Sequence, residues 1–377
     1  MKQLISKDEF SFEDIMKAYT QCRKYKRNTR TAMNFEKNFI DKLKILQNQI
    51  NTRTFKSGRY TCFAVIQPKP REVWAAPFKN RIVHHLIHNE IGKEFEKHYI
   101  DQTYSCIKGR GTLKCIKDAF KGCRCITENW TKEAFFIKLD IKNFFVSLDK
   151  EILWNLLKEK IDENSTLGWL IYKSIFDDIT NNPHYRHKDI LAQVPSYKSL
   201  KNVDRNKKGL PVGNLTSQFY SNVYMNEFDL FCKHVLKLKY YYRYVDDILI
   251  LIKDSSSANI IINRINNWLI ENRHLELNTN KTVINRIKYG IKLLGVRIFP
   301  YYIIPSKCIF NKLKFALKNF KKNIFNEKQL ATLNSYLGMF IAFNNYHIRT
   351  KILSNTRLEF IYNNDGRKVY LEKVYNT

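Results

Sequence analysis

The chain has 377 residues, of which 44% are hydrophobic and 14% aromatic, with only 12 glycines and 8 prolines. This composition excludes disordered, collagen-like and low-complexity chains, because those cannot fill a packed interior. The length is enough for two or three domains. The 65 Lys and Arg residues against 35 Asp and Glu residues leave a net charge of +30. Such a charge attracts polyanions, so nucleic acid is the leading candidate partner.

Membrane attachment is not expected from this sequence. The longest uninterrupted aliphatic run extends from Ile248 to Ile252, far short of the roughly 20 apolar residues that cross a bilayer. Acidic residues interrupt the N-terminal segment MKQLISKDEFSFED, where a secretory signal would be continuously apolar. We therefore expect a cytoplasmic protein. The eight cysteines lack paired CxxC spacing, which favours free thiols in a reducing compartment.

The first half of the chain alternates between helical and strand-like patterns. Two β-rich pieces, TCFAVI and REVWA, flank a connection with two prolines, and this arrangement predicts a basic β-hairpin. A buried strand is predicted from Ala134 to Leu139, and it ends on Asp140. Helices are predicted at about residues 12–25, 35–50, 79–97 and 112–120, with two more within 149–176.

The second half begins with a polar loop at 180–208 and a helix from about Ser217 to Leu236. The strand-like runs Lys239–Tyr244 and Ile248–Ile252 predict a hairpin with carboxylates at its tip. A helix at about 257–271, strands near 282–287 and 291–299, and a Lys-rich helical end follow. The pattern predicts an α+β fold in three segments: a helical extension at 1–52, a mixed region at 53–304 and a basic helical unit at 305–377.

Three aspartates are embedded in strongly apolar sequence. Asp140 lies in FFIKLDIKNFF, and Asp246 and Asp247 lie in YYYRYVDDILILI. Unpaired carboxylates are costly in such surroundings, and hard divalent cations are their natural counter-charge. A single aspartate at a strand end is more often a turn or cap residue, but three together favour a metal site. Because successive strand residues point to opposite faces, we expect Asp246 and Asp247 to have unequal roles.

The segment Gly209–Gln218, GLPVGNLTSQ, places two glycines and a proline before a helix. Such a loop allows the backbone to approach a ligand closely, although a glycine before a helix is usually only a turn.

The ordered set FFIKLDIKNFF, GLPVGNLTSQ, YVDD, LELNTNKT and KLLGVRI resembles the palm motifs of reverse transcriptases, over roughly residues 55–300. VGNLTSQ, KPREVWAAPFKNRIVHH and YSCIKGRGT most resemble the reverse transcriptases of diversity-generating retroelements. The resemblance implies a right-hand polymerase fold, with fingers and an antiparallel palm sheet in 53–304 and a helical thumb in 305–377.

The resemblance also implies nucleotidyl transfer with two Mg²⁺ ions. Metal ligands would be Asp140, Asp246, Asp247 as the weaker ligand, and the backbone carbonyl of Ile141. Lys281 matches the family lysine that is suspected of protonating pyrophosphate, although a lysine at a turn is usually only solvated.

Other positions match the nucleotide and primer sites of the family. Lys69 and Arg71 would contact the triphosphate of the dNTP, with a solvated surface as the alternative. Phe145 would exclude a ribose 2′-hydroxyl, with plain core packing as the alternative. Gly213 belongs to the dNTP-binding loop. Leu293, Leu294 and Gly295 match the primer grip, with an ordinary strand and a bulge glycine as the alternative.

Val212 and Gln218 depart from the commoner reverse transcriptase pattern, which has Gln before the loop glycine and Pro after its serine. A valine cannot hydrogen-bond near the templating pair, so we expect looser base discrimination there. The implied function is an RNA-directed DNA polymerase that makes adenine-mutagenised cDNA for mutagenic retrohoming in a bacterium or phage.

The implied partners are a template-repeat RNA, the RNA–DNA duplex, dNTPs and an oligomeric accessory variability protein. Two alternatives stay open: a retron-like or group II intron-like reverse transcriptase of ordinary fidelity, and a non-catalytic RNA-binding scaffold. Three intact aspartates favour the catalytic interpretations.

Overall fold

The computed structural model describes residues 4–24, 29–66, 69–204, 206–320, 327–343, 345–353, 360–362 and 369–371. The helices are α1 (Phe12–Arg23), α2 (Arg30–Glu36), α3 (Phe39–Asn51), α4 (Phe78–Glu96), α5 (Thr112–Ile126), α6 (Phe144–Ser147), α7 (Lys150–Lys158), α8 (Thr166–Phe176), α9 (Lys188–Leu191), α10 (Leu215–Leu230), α11 (Ala258–Arg273), α12 (Lys307–Phe320), α13 (Glu327–Ala342) and α14 (Tyr346–Leu353). The strands are β1 (Thr61–Val65), β2 (Arg71–Ala75), β3 (Phe135–Asp140), β4 (His184–Tyr185), β5 (Tyr240–Tyr244), β6 (Asp247–Ile252), β7 (Val283–Arg286), β8 (Ile291–Leu293), β9 (Val296–Ile298), β10 (Ile303–Pro305), β11 (Phe360–Tyr362) and β12 (Val369–Leu371).

The N-terminal helices surround the long central helix α4. A capping box begins α1, because the Ser11 hydroxyl accepts from the Asp14 N–H at 3.2 Å and Asp14 Oδ2 accepts from the Ser11 N–H at 3.0 Å. The helix then buries Ile15, Ala18 and other apolar residues and packs against α4. Helix α4 also packs against α10, so the two buried helices form the centre of this region.

The predicted basic hairpin is confirmed. Strands β1 and β2 pair antiparallel from Thr61↔Ala75 to Val65↔Arg71, and β4 adds a short parallel strand beside β1. Gln67 and Pro68, in the predicted connection, lie outside the described residues. The predicted loop at 180–208 contains β4, α9 and two short 3₁₀ turns, because local turns satisfy its backbone.

The central sheet has the strand order β5-β6-β3-β7. Strand β3 pairs antiparallel with β7 from Phe135↔Arg286 to Lys138↔Val283. The residues Ile248–Ile252 of β6 are all buried, which explains their uninterrupted apolar run. The strand ending on Asp140 and the acidic turn between β5 and β6 follow the prediction.

Two predictions about the C-terminal region are corrected. The single strand predicted at 291–299 is a hairpin, in which β8 pairs with β9 from Ile291↔Ile298 to Leu293↔Val296. Leu294 (φ 44°) and Gly295 (φ 89°) reverse the chain between them. The region after 305 is not wholly helical, because β11 and β12 pair antiparallel. The predicted helical core is present, formed by Leu313, Leu317, Leu333, Leu337 and Phe340.

The chain divides into two compact units that interleave along the sequence. The first contains Met1–Gly109, Leu139–Ile248 and Asn259–Thr282, and the second contains Arg110–Lys138, Leu249–Ala258 and Val283–Thr377. The linear segments 1–52, 53–304 and 305–377 stay a prediction. Within the described part of the chain, no helix combines the length and apolar character required to cross a membrane.

Candidate active site

Asp140 ends β3 beside the segment 275–282. The Asp140 carbonyl accepts from the Asn278 N–H at 2.8 Å, and the Lys142 N–H donates to the Glu276 carbonyl at 2.9 Å. These two bonds flank Ile141 and leave its own carbonyl out of the pairing with Leu277. The Asp140 carboxylate forms an ion pair with Lys281, and the side chains are 17% and 44% exposed respectively. The structure thus brings together two residues that are 141 positions apart.

Asp246 occupies the tight turn between β5 and β6, and Asp247 is the first residue of β6. The preceding Val245 has φ 57°, a left-handed conformation that is a real outlier for a β-branched residue. Strain of this kind is typical of functional sites. It turns the chain within two residues and places Asp246 outside the regular strand alternation.

The three aspartates share one electrostatic environment. The pKa of the Asp246 carboxyl is raised to about 6, mainly by burial and also by the negative charges of Asp247 and Asp140, while a backbone hydrogen bond and the charge of Arg71 act in the opposite direction. The carboxylates are therefore close enough to repel one another, and the cations Lys281 and Arg71 balance them only in part.

The donor set fits a hard divalent cation. Carboxylate oxygens that repel one another are the ligands that such ions prefer. Among the described residues, no group of three or more His, Cys, Asp or Glu side chains forms a ready-made metal cage. Asp140, Asp246, Asp247 and the Ile141 carbonyl are the groups that would hold the metal.

The loop before α10 is fixed to β2. The Trp74 N–H donates to the Val212 carbonyl at 2.9 Å. Gly213 has φ 115°, and a Cβ there would lie 3.0 Å from Val73 Cγ1 and 3.3 Å from the Trp74 carbonyl oxygen. Glycine is therefore required at 213 both by the backbone conformation and by the closeness of β2. Arg71 is on the same strand, so β2 connects the loop with a predicted triphosphate contact.

Phe145 lies at the other edge of this loop. Its carbonyl accepts from the Leu210 N–H at 2.8 Å, and the Gly209 N–H donates to the Leu148 carbonyl at 2.8 Å. The partly buried Phe145 ring packs edge-on against Phe144, with ring centroids 5.3 Å apart. Some core packing therefore accompanies the predicted contact with the sugar.

Gln218 is exposed on the first turn of α10. Its side-chain oxygen lies 3.2 Å from Cys106 Sγ, in the YSCIKGRGT segment. This thiol contact orients the side-chain amide of Gln218.

Four further predicted site residues lie on other elements of the chain. Lys69 is exposed at a bend next to β2. Leu293, Leu294 and Gly295 belong to the second unit, at the β8–β9 turn. A Cβ at Gly295 would approach Ile309 Cδ1 at 3.1 Å, so the positive φ and the packing both explain this glycine.

The sequence reasoning missed a buried ion pair behind the acidic turn. Arg243 on β5 donates to both carboxylate oxygens of Asp229 on α10, each at 2.6 Å, and both side chains are 0% exposed. The same carboxylate accepts from Tyr241 at 2.6 Å and from Thr103 at 2.7 Å. Every part of this carboxylate is hydrogen-bonded, which is the condition for burying a charge.

Arg243 also supports the strained turn directly. Its Nη1 donates to the Val245 carbonyl at 3.2 Å and to Asn222 Oδ1 at 3.3 Å. Burial alone would lower the pKa of this guanidinium, but the charge and hydrogen bonds of Asp229 raise it above its usual value. The sequence signal was a single arginine between tyrosines in an otherwise apolar strand.

The comparison with protein families identifies the class. The model of the family "Reverse transcriptase (RNA-dependent DNA polymerase)" matches residues 68–298, which is more than half of the chain. The chain therefore belongs to the reverse transcriptase family and has the α+β polymerase fold of that family. It contains the domain of RNA-directed DNA polymerases.

Among curated proteins, the chain is 25% identical over 322 residues to the COX1/OXI3 intron 2 protein of Saccharomyces cerevisiae. The match covers 72% of this chain and 36% of that protein, so the chain spans little more than a third of the relative.

Two solved structures are also similar. Telomerase from Candida albicans, in complex with a fragment of telomeric RNA, has a TM-score of 0.43 and 13% identity, over 81% of this chain and 56% of that chain. Apo telomerase from Candida tropicalis has a TM-score of 0.43 and 10% identity, over 65% of this chain and 55% of that chain. Both scores are too low to support an argument, so the assignment depends on the family match.

The raised pKa of Asp246 predicts a pH-dependent stability. The folded value of about 6 exceeds the usual 3.8, so the folded state binds this proton more tightly and stability falls as the pH rises through that window. Without divalent metal, Asp246→Asn should stabilise the chain at pH 8 by ~1–3 kcal/mol, and by about half as much at pH 5, which lies between the two pKa values. Urea unfolding in chelator measures this, with the exposed Asp41→Asn as control. An equal difference at both pH values would contradict the prediction.

The buried ion pair predicts a large effect from one neutralising change. Asp229→Asn leaves the Arg243 guanidinium buried with an incomplete partner and should cost ~3–5 kcal/mol of unfolding free energy. Glu94→Gln on α4 is the matched control, because both side chains of its ion pair with Lys97 are exposed, at 40% and 67%, and the change should cost much less. Equal losses of unfolding free energy for the two variants in denaturant would show that burial does not determine how much the Arg243–Asp229 pair contributes.

Proposed function

We propose that the chain is an RNA-directed DNA polymerase that adds deoxynucleotides to a primer on an RNA template. The observation that carries this proposal is the joint effect of Asp140 and Asp247 on the pKa of Asp246, in a chain of the reverse transcriptase family. A scaffold without activity has no need for carboxylates that repel one another at the end of a buried sheet.

The proposed cofactor is a pair of Mg²⁺ ions held by Asp140, Asp246, Asp247 and the Ile141 carbonyl, with Asp247 the weaker ligand. When bound, the ions would lower the pKa of the primer 3′-hydroxyl and stabilise the leaving pyrophosphate. Lys281 balances Asp140 in their ion pair and would exchange this partner for pyrophosphate, to which it can give a proton. Arg71 and Lys69 would bind the triphosphate.

Base and sugar selection are assigned to the loop 209–218 and its neighbour Phe145. The Phe145 ring would exclude a 2′-hydroxyl, and Leu293, Leu294 and Gly295 would hold the primer end. The Val212 carbonyl is held by the Trp74 N–H, and the Val212 side chain would line the nucleotide pocket together with Gly213 and Gln218. An isopropyl group offers no hydrogen bond to the template base, which should permit misincorporation.

On this basis we assign the chain to a diversity-generating retroelement of a bacterium or phage, in whose cytoplasm it would make adenine-mutagenised cDNA for mutagenic retrohoming. A template-repeat RNA and its RNA–DNA duplex are the proposed nucleic-acid partners, with dNTPs as substrates. An oligomeric accessory variability protein is the proposed protein partner. The net charge of +30 supports the RNA partner and does not bear on the accessory protein.

A second candidate is an intron-type reverse transcriptase of ordinary fidelity. The similarity to the COX1/OXI3 intron 2 protein favours it. The two candidates share their chemistry and differ in their error spectrum.

The catalytic proposal predicts primer extension that depends on a divalent cation. The wild-type chain should extend a DNA primer on an RNA template with Mg²⁺, and Asp246→Asn should lower the rate by at least ~10³-fold, because an amide is a poor ligand for a hard cation. Asp41→Asn is the matched control, since this aspartate is exposed on α3. Extension by Asp246→Asn at the wild-type rate would refute the assignment.

The fidelity proposal predicts a specific effect of Val212→Gln. A glutamine amide restores a hydrogen-bonding group beside the templating pair, so errors opposite template adenine should fall by about tenfold while errors opposite other bases change less. Sequencing of cDNA from a template with all four bases measures this. Low adenine errors in the wild type would favour the intron-type candidate, and an unchanged spectrum in the variant would remove Val212 from the explanation.

A further inference from the structure

An exposed tyrosine occupies a strained turn in the second unit. Pro300 and Tyr301 connect β9 to β10, where the Phe299 N–H donates to the Tyr302 carbonyl at 2.9 Å. Tyr301 has φ 71°, at a turn position that normally carries glycine or asparagine. Its side chain is 73% exposed. Core packing therefore does not explain why a bulky ring is present at this position.

A second aromatic residue is presented by an equally unusual loop. After α5, Glu128, Asn129 and Trp130 have φ values of 49°, 59° and 71° in succession. Local bonds hold this conformation, because the Thr127 hydroxyl accepts from the Trp130 N–H at 3.1 Å and Arg124 Nε donates to Asn129 Oδ1 at 2.8 Å. Three consecutive left-handed residues other than glycine are costly, and the loop retains them.

The two strained loops bring their rings together. The Trp130 ring centroid lies 5.8 Å from that of Tyr301 and 5.4 Å from that of Phe120. On the adjoining strand end, Phe299 and Tyr302 stack at 5.2 Å, and Tyr302 is 53% exposed. We call these five rings, Phe120, Trp130, Phe299, Tyr301 and Tyr302, the aromatic surface.

Cations border the aromatic surface. The Arg297 guanidinium lies 5.0 Å from the centre of the Phe299 ring and donates to the Tyr289 carbonyl at 2.9 Å. Next to Tyr289, Lys288 shares the single acid Glu133 with Arg286, at 2.9 and 3.2 Å. Two cations thus share one carboxylate, and Arg297 adds a third positive charge beside the Phe299 ring.

From these observations we propose that the aromatic surface binds unpaired bases of a single-stranded RNA segment. Aromatic side chains stack on bases of any sequence, and neighbouring cations follow the phosphates. A duplex hides its base faces, so the surface selects single strands. The net charge of +30 favours a polyanion over a protein partner. This inference rests on the proposed function, in which RNA is the template.

The test uses the full chain and a fluorescently labelled, unstructured oligouridine, with an RNA duplex of equal length for comparison. Tyr301→Gly should bind the single strand about tenfold more weakly. Its melting temperature should equal or exceed that of the wild type, because glycine tolerates the left-handed turn. A merely structural tyrosine would instead lower the melting temperature. The slope of affinity against salt should not change, since no phosphate contact is removed.

Two further variants complete the design. Tyr302→Ala should weaken single-strand binding in the same direction. Tyr197→Ala is the matched control, because this tyrosine is 61% exposed in the first unit, and its affinity should stay within about twofold of wild type.

Wild-type affinity in both Tyr301→Gly and Tyr302→Ala would overturn the proposal and leave a protein partner as the occupant of the surface. Equal losses for single strand and duplex would also overturn it. Primer extension on the same preparations separates the two proposals. A wild-type chain that binds RNA without extending a primer contradicts the polymerase assignment. Normal extension together with unchanged affinities of the variants contradicts only the role of the aromatic surface in RNA binding.

Discussion

The first unit has to accommodate the mutual repulsion of three carboxylates, those of Asp140, Asp246 and Asp247. Burial and the charges of its neighbours raise the pKa of Asp246 to about 6, and an arrangement that raises the energy of a charged group needs rigid support. At the β5–β6 turn this support is the backbone itself, and around the turn it is the charge of nearby cations. Lys281 balances Asp140, and Arg71 acts on Asp246 from β2.

The buried pair of Arg243 and Asp229 gives the turn its rigidity. The hydrogen bond from Arg243 to the Val245 carbonyl links helix α10, through Asp229, to the one residue of the β5–β6 hairpin whose backbone is strained. The loop 209–218 leads directly into the same helix. The β5–β6 turn, which carries two of the proposed metal ligands, and the loop 209–218 are therefore both fixed to α10, and movement of this helix would affect both.

Much of the fold could be predicted because its signals are local. The apolar run of β6, the strand ending on Asp140 and the periodic helices each depend on residues close in sequence. The β8–β9 hairpin was missed because its turn is Leu294–Gly295, and a single glycine within an apolar run resembles a bulge. The site was predicted as a set of residues from the order of motifs. The contacts that organise the site join residues that are far apart in the sequence. Asp229, for example, binds both Arg243 and Thr103, and no local sequence pattern specifies such contacts.

The loop 209–218 is anchored at Val212 through backbone groups. The contact that fixes the loop uses the Val212 carbonyl and the Trp74 N–H, and both are backbone groups present whichever side chains stand there. Gly213 is constrained by its φ and by Val73, whereas the Val212 side chain takes no part in the bond that anchors the loop. Under the proposed function, an exchange of the side chain at 212 would therefore keep the bond that anchors the loop, and base discrimination would change separately from the attachment of the loop to β2.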